Sequence, residues 1–157
     1  KLLPYVDVLI ANEEDCEKVL GLKAGASDVS KGELDQSGYV SVAKQIYEQF
    51  GIHTVATTLR KSYSASDNDW SAMIWNDGEV YLSKTYSIRI VNRVGGGDSF
   101  SGGLIYSLRK GLPMQEALEF ATAASCLKHT IEMDFNLVSV QEVEALKEGN
   151  GSGRVQR

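Results

Sequence analysis

Apolar residues fall along this chain in two rhythms. Val6 to Ala11 (VDVLIA) and Thr54 to Leu59 (TVATTL) are short runs of apolar and β-branched residues, the pattern of strands buried on both faces of a parallel sheet. Between them Val40, Ala43, Ile46, Tyr47 and Phe50 recur at three- and four-residue steps, which predicts one helix face, with Gly51 as its stop. Asn12 followed by Glu13, Glu14 and Asp15 predicts a capped helix start with acids in the first turn, and Leu20-Gly21 its end. In the middle, Trp70 to Trp75 and Val80 to Ser83 flank Asn76-Asp77-Gly78-Glu79, a hairpin signal that uses the two tryptophans for packing.

The second half returns to helices. Phe100, Gly103, Leu104, Ser107 and Leu108 share one helical face. Gly102 and Gly103 each cost about 1 kcal/mol against Ala in a helix, so close packing of helix on sheet is expected there. Pro113 starts a helix carrying Ala117, Leu118, Ala121, Ala124, Ser125 and Lys128 on one face, and Val140 to Leu146 predicts a last short helix. Residues 23–36 read as a surface loop and 149–157 as a frayed tail, so the domain is expected over 1–148.

Between a strand-like Ile88-Arg89-Ile90-Val91 and the Phe100 helix stands Gly95-Gly96-Gly97-Asp98. Glycines let the backbone approach a ligand, and a helix N-terminus presents free N–H groups and a favourable dipole to an anion. A carboxylate beside such a site repels phosphate unless it has chemical work. Asp98 is placed to act as a general base toward a hydroxyl while the amides hold a phosphoryl group. The competing reading is that Asp98 only caps the helix.

The chain has 157 residues, enough for a real core, and 43% of them are hydrophobic. A net charge of −5 argues against nucleic acid as a partner. No apolar run approaches the roughly 20 residues of a membrane helix, and the opening Lys1-Leu2-Leu3-Pro4 lacks both a signal pattern and an initiating Met, so a trimmed, cytoplasmic chain is expected. Cys16 and Cys126 stand in no metal or redox spacing and fit buried thiols. A Rossmann dehydrogenase is disfavoured, because the first strand lacks G-x-G-x-x-G and the glycine turn comes late.

Taken in order, these segments resemble the C-terminal half of the PfkB (ribokinase-like) carbohydrate kinases. They are the strand before Asn12-Glu13-Glu14-Asp15, the strand ending Thr57-Thr58-Leu59, the glycine turn, and the Ala-rich helix. The wording Asn92-Arg93-Val94-Gly95-Gly96-Gly97-Asp98-Ser99-Phe100, with Lys128-His129-Thr130 and Asp134-Phe135-Asn136, is most similar to the 2-keto-3-deoxygluconate (KDG) kinases of that family. The resemblance implies an α/β fold, part of a ribokinase-like three-layer α/β/α sandwich with a mainly parallel sheet. It implies ATP and Mg²⁺ as cofactors and transfer of the γ-phosphoryl group to a sugar acid, KDG giving its 6-phosphate.

The resemblance also implies residue roles. Asp98 matches the catalytic base, and Gly95, Gly96 and Gly97 match the anion hole. Asn12 and Asp15 match the pair that organises Mg²⁺ and phosphates, with Asp where the family has Glu. Thr58, Leu59 and Arg60 match the segment lining the nucleotide, Arg60 replacing a usual glycine, and Thr122 falls at a position bordering the adenine. Asp134 matches a second substrate-binding carboxylate. Asn92-Arg93 and Glu132-Met133 depart from the usual Asp-Thr and glycine turn, so no K⁺ site is inferred. The sugar-side N-terminal half with its β-lid is not in this sequence. It is therefore the expected partner, an exposed sheet edge favours homo-oligomers, and the chain alone is expected to be inactive. The alternatives are a non-catalytic nucleotide-binding or assembly fragment, and a PfkB kinase of the ribokinase or fructokinase type.

Overall fold

The structure is a computed structural model and describes residues 2–22 and 36–149. The expected loop and tail lie outside the described residues, apart from Gln36 at the start of a helix and Gly149 at the end of another. The elements run β1 (Val8–Ile10), α1 (Glu13–Leu20), α2 (Gln36–Phe50), β2 (Thr54–Ser62), β3 (Asp67–Asn76), β4 (Glu79–Leu82), β5 (Tyr86–Arg89), α3 (Gly96–Arg109), α4 (Met114–Lys128) and α5 (Val140–Glu148). Strand order is β1-β2-β3-β4, with β5 pairing β3. The chain divides into two compact units, Lys1–Leu59 with Met73–Tyr81, and Arg60–Ala72 with Leu82–Arg157.

In the first unit β1 lies parallel to β2, in the register Val8↔Thr54, Leu9↔Val55 and Ile10↔Ala56. The expected strand from Val6 shortens to three residues because the Val6 N–H closes a 3-10 turn on Leu3 O at 3.1 Å. Ile46 and Ile52 are fully buried with Ala43, Val55 and Trp75, and the apolar face of α2 supplies much of this core. Gly21 ends α1 in the left-handed region, as a C-terminal glycine should. At the hairpin tip Asp77 and Gly78 both have positive φ, 49° and 96°, the type I′ geometry that suits twisted strands.

In the second unit β3 pairs antiparallel with β5, from Asp67↔Arg89 to Trp70↔Tyr86. The sheet is therefore mixed: parallel at β1–β2 and antiparallel at β3–β5. β5 starts two residues earlier than the apolar run suggested. Val91 leaves the sheet because its N–H is taken by His129 O at 2.8 Å. β2 runs past Leu59 to Ser62, polar residues included, because the turn closes only where Tyr63 and Ser64 N–H reach Asp67 O. Gly103 meets α4 rather than the sheet: a Cβ there would lie 2.9 Å from Ala121 Cα and 3.3 Å from Ala124 Cβ. The alanines of α4 thus serve helix–helix packing, while Gly102 faces open space. Both tryptophans are buried, Trp70 in this unit and Trp75 in the other, as packing residues.

Candidate active site

The glycine turn is shaped by crowding on one side and openness on the other. Gly95 is the N-cap of α3 at φ 81°, and a Cβ on it would sit 1.8 Å from Asp134 O. Gly96 donates its N–H to Arg93 O at 3.2 Å and accepts the Ser125 hydroxyl on its carbonyl at 2.8 Å. A Cβ on Gly96 would lie 2.6 Å from His129 Cε1. Gly97 has nothing within 4 Å of that position. Among the described residues the N–H groups of Gly95, Gly97 and Asp98 have no partner. The donors available to an anion are therefore those three, and the Gly96 N–H is engaged by the turn itself.

Asp98 is exposed at the third position of α3 and is not its cap. Among the described residues its carboxylate takes no hydrogen bond or ion pair. It borders a cleft of about 430 Å³ with Gly95, Ser99 and Asp134, walled on the apolar side by Tyr106 and Phe120. Those two rings stack with centroids 5.2 Å apart. The structure therefore brings Asp98, the turn and Asp134 together at one opening. Their neighbours are fixed by amides: Asn92 donates to Glu132 O at 2.6 Å and to Asp134 Oδ1 at 3.2 Å, while its own oxygen accepts the Val94 N–H. Asn136 donates to Ser99 Oγ and Ala124 O.

Beneath the turn lies His129, buried, with Nδ1 2.7 Å from Ser125 O and its ring 4.5 Å from that of Trp70. Burial holds it below the usual histidine range, and the positive charges of Lys128, Arg93 and Arg60 push the same way. Nδ1 therefore carries the proton that the Ser125 carbonyl accepts, and the ring stays neutral at pH 7. Neither His129 nor the two asparagine clamps follows from periodicity. The one signal was that Asn92, Lys128, His129 and Asn136 stand inside the family wording.

The remaining expected residues have other surroundings. Arg60 is exposed at the start of the polar end of β2. Thr122 is fully buried on α4, donates its hydroxyl to Leu118 O at 2.8 Å, and does not line the cleft. In the first unit Thr58 is half-buried and Leu59 buried. Asn12 and Asp15 form a reciprocal capping box on α1, Asn12 Oδ1 accepting the Asp15 N–H at 2.9 Å and Asp15 Oδ2 accepting the Asn12 N–H at 3.1 Å. Both remain exposed, and each side chain keeps oxygen lone pairs for a hydrated cation.

Residues 1–131 match the family described as pfkB family carbohydrate kinase, and the chain belongs to that family. Its backbone superposes on the 2-dehydro-3-deoxygluconokinase of Thermotoga maritima with a TM-score of 0.85 at 47% identity, covering 94% of this chain and 43% of that one. A PfkB family carbohydrate kinase from Listeria grayi gives a TM-score of 0.79 at 27% identity, over 94% of this chain and 43% of that one. In sequence, the 2-dehydro-3-deoxygalactonokinase of Haloferax volcanii is 29% identical over 152 residues, 97% of this chain and 41% of that protein. The chain thus spans about two fifths of the length of these relatives, and its fold is ribokinase-like.

Proposed function

We propose that this chain is the catalytic, nucleotide-side part of an ATP-dependent sugar-acid kinase, acting on 2-keto-3-deoxygluconate (2-dehydro-3-deoxygluconate) at its 6-hydroxyl. The observation that carries the reading is the Asp98 carboxylate, unpartnered among the described residues, beside open N–H groups at the head of α3. Asp98 accepts the proton of the sugar hydroxyl, whose oxygen then bonds to the γ-phosphorus as the bond to ADP breaks. The N–H groups of Gly95, Gly97 and Asp98 hold the phosphoryl oxygens as negative charge builds there. Asp134, steadied by Asn92, takes the place of a second substrate-binding carboxylate. Thr58, Leu59, Arg60 and Thr122 remain the nucleotide-side candidates, with Thr122 acting from inside the core.

Asn12 and Asp15 fit Mg²⁺ in donor chemistry, hard oxygens working through water. When bound, Mg²⁺ supplies charge neutralisation on the phosphates. The sugar preference rests on the named activity of the Thermotoga maritima relative. The Haloferax volcanii relative keeps the galactonate analogue as the competing substrate. Because positioning of two substrates carries roughly 7–11 kcal/mol of such barriers, the 157 residues by themselves bind nucleotide but turn over poorly. The test is a coupled ADP-release assay with Mg-ATP and each sugar acid, on the 157 residues and on the full-length protein. Turnover of the full-length protein with KDG supports the proposal. No turnover with either sugar acid overturns it, and equal rates for the two proteins overturn the claim about the isolated chain.

A further inference from the structure

Lys128 ends α4 and is fully buried, yet it has no acidic partner among the described residues. Its Nζ makes one long hydrogen bond, to Ile131 O at 3.5 Å. Its Cε lies 3.1 Å from the point where a Cβ on Gly95 would be. An ammonium taken out of water needs compensation from an opposite charge or from good hydrogen bonds. Among the described residues it has no opposite charge and only that one long bond, but the open face of the glycine turn is built for an anion. The same ammonium is one of three positive charges that press on His129 under Gly96, with Arg93 and Arg60.

We propose that Lys128 is a positioning residue: its ammonium is a fixed internal cation behind the glycine turn. It stabilises the negative charge gathered on the turn's outward N–H groups and props Gly95 against the 131–134 carbonyls. The inference rests on the reading of the turn as a phosphoryl site. It goes beyond that reading by assigning the counter-charge to a side chain of α4, so that no free monovalent cation is needed there. A lysine present only to fill space would serve equally well as methionine.

The test uses the full-length protein. Wild-type turnover stays within about twofold when K⁺, Na⁺ or tetramethylammonium is exchanged at constant ionic strength. Lys128→Met lowers kcat about 30-fold or more, leaves the KM for sugar within about threefold, and weakens ATP binding about fivefold. Added K⁺, NH₄⁺ or methylammonium, each small enough to enter the vacated place, restores at least part of the loss. The proposal is overturned by a variant with wild-type kcat and ATP affinity. It is equally overturned by a loss that no cation restores in a variant that melts like the wild type. Should Lys128→Met fail to fold, the wild-type cation series decides alone, and strong activation by K⁺ counts against the proposal. Should the wild type transfer no phosphoryl group, the kinase reading falls. ATP affinity by calorimetry, in the same cations and the same variant, then still judges Lys128.

Discussion

The heads of α1 and α3 carry the same ingredient and use it differently. Each has a carboxylate at the third helical position, Asp15 in one and Asp98 in the other. On α1 the carboxylate reaches back to the N-cap N–H, and Asn12 answers by accepting the Asp15 N–H. On α3 the N-cap is Gly95, left-handed and with no side chain to offer, and no side-chain bond caps the helix there. Among the described residues Asp98 is left unpartnered and the N–H groups of Gly95, Gly97 and Asp98 are left open, while Gly96 bonds Arg93 O. The head of α5 repeats the α1 arrangement: Ser139 and Glu142 form a capping box, and the bonds from Ser139, its backbone N–H first, hold Glu142 below the usual carboxylate range. An acid in the first turn is thus ordinary in this chain. The unusual feature is a cap that refuses it.

Substitutions at the three heads can break or sharpen this contrast. Asp98→Asn in the full-length protein should lower kcat on the order of 10²- to 10⁴-fold, with ATP binding and melting temperature nearly unchanged. A variant with near wild-type turnover would return Asp98 to the class of Asp15. Gly95→Ala comes next. The left-handed backbone costs an ordinary residue roughly 1–2 kcal/mol, and the Cβ would collide with Asp134 O at 1.8 Å. A loss of about 3 kcal/mol or more is expected in urea unfolding, and a midpoint equal to the wild type would show that the turn relaxes freely.

Asp15→Ala removes half a capping box, about 1 kcal/mol of stability, and should also raise the Mg²⁺ concentration needed for half-maximal activity. If that titration does not move, the α1 head is a cap and nothing more. Glu142→Ala provides the control with the smallest effect: a stability loss of at most about 1 kcal/mol and no change in activity at any Mg²⁺ level. A change in turnover there would erase the distinction between the heads.

Much of this was legible in the residues. The positions of α1, α3, α4 and α5, the Asp77-Gly78 turn and the glycine turn follow from caps, spacing and φ requirements, which act over a few residues and leave local marks. Strand ends were less legible. Whether Val91 belongs to a strand is decided by a carbonyl far along the chain, His129 O, and the end of β2 is decided by the turn that closes on Asp67 O. The same holds within the site. The sequence marks Asp98 and its glycines as an anion turn. It does not mark that Gly96 turns its N–H to Arg93, that His129 lies beneath it, or that Thr122 points into the core. Gly103 shows the point from another side: its smallness was recognised, but the surface it meets is α4, which only the folded chain identifies.

The contact beneath Gly96 carries a consequence for how such a chain can diverge. A Cβ at position 96 and the imidazole at position 129 claim one volume, 2.6 Å apart. Neither site can drift alone: alanine at 96 demands a slimmer or retracted residue at 129, and histidine at 129 confines 96 to glycine. The two positions should therefore change as a pair among descendants of a common ancestor, although they stand 33 positions apart in the chain. A laboratory library randomised at both sites and selected for folding should recover that pairing, with alanine at 96 found alongside small residues at 129.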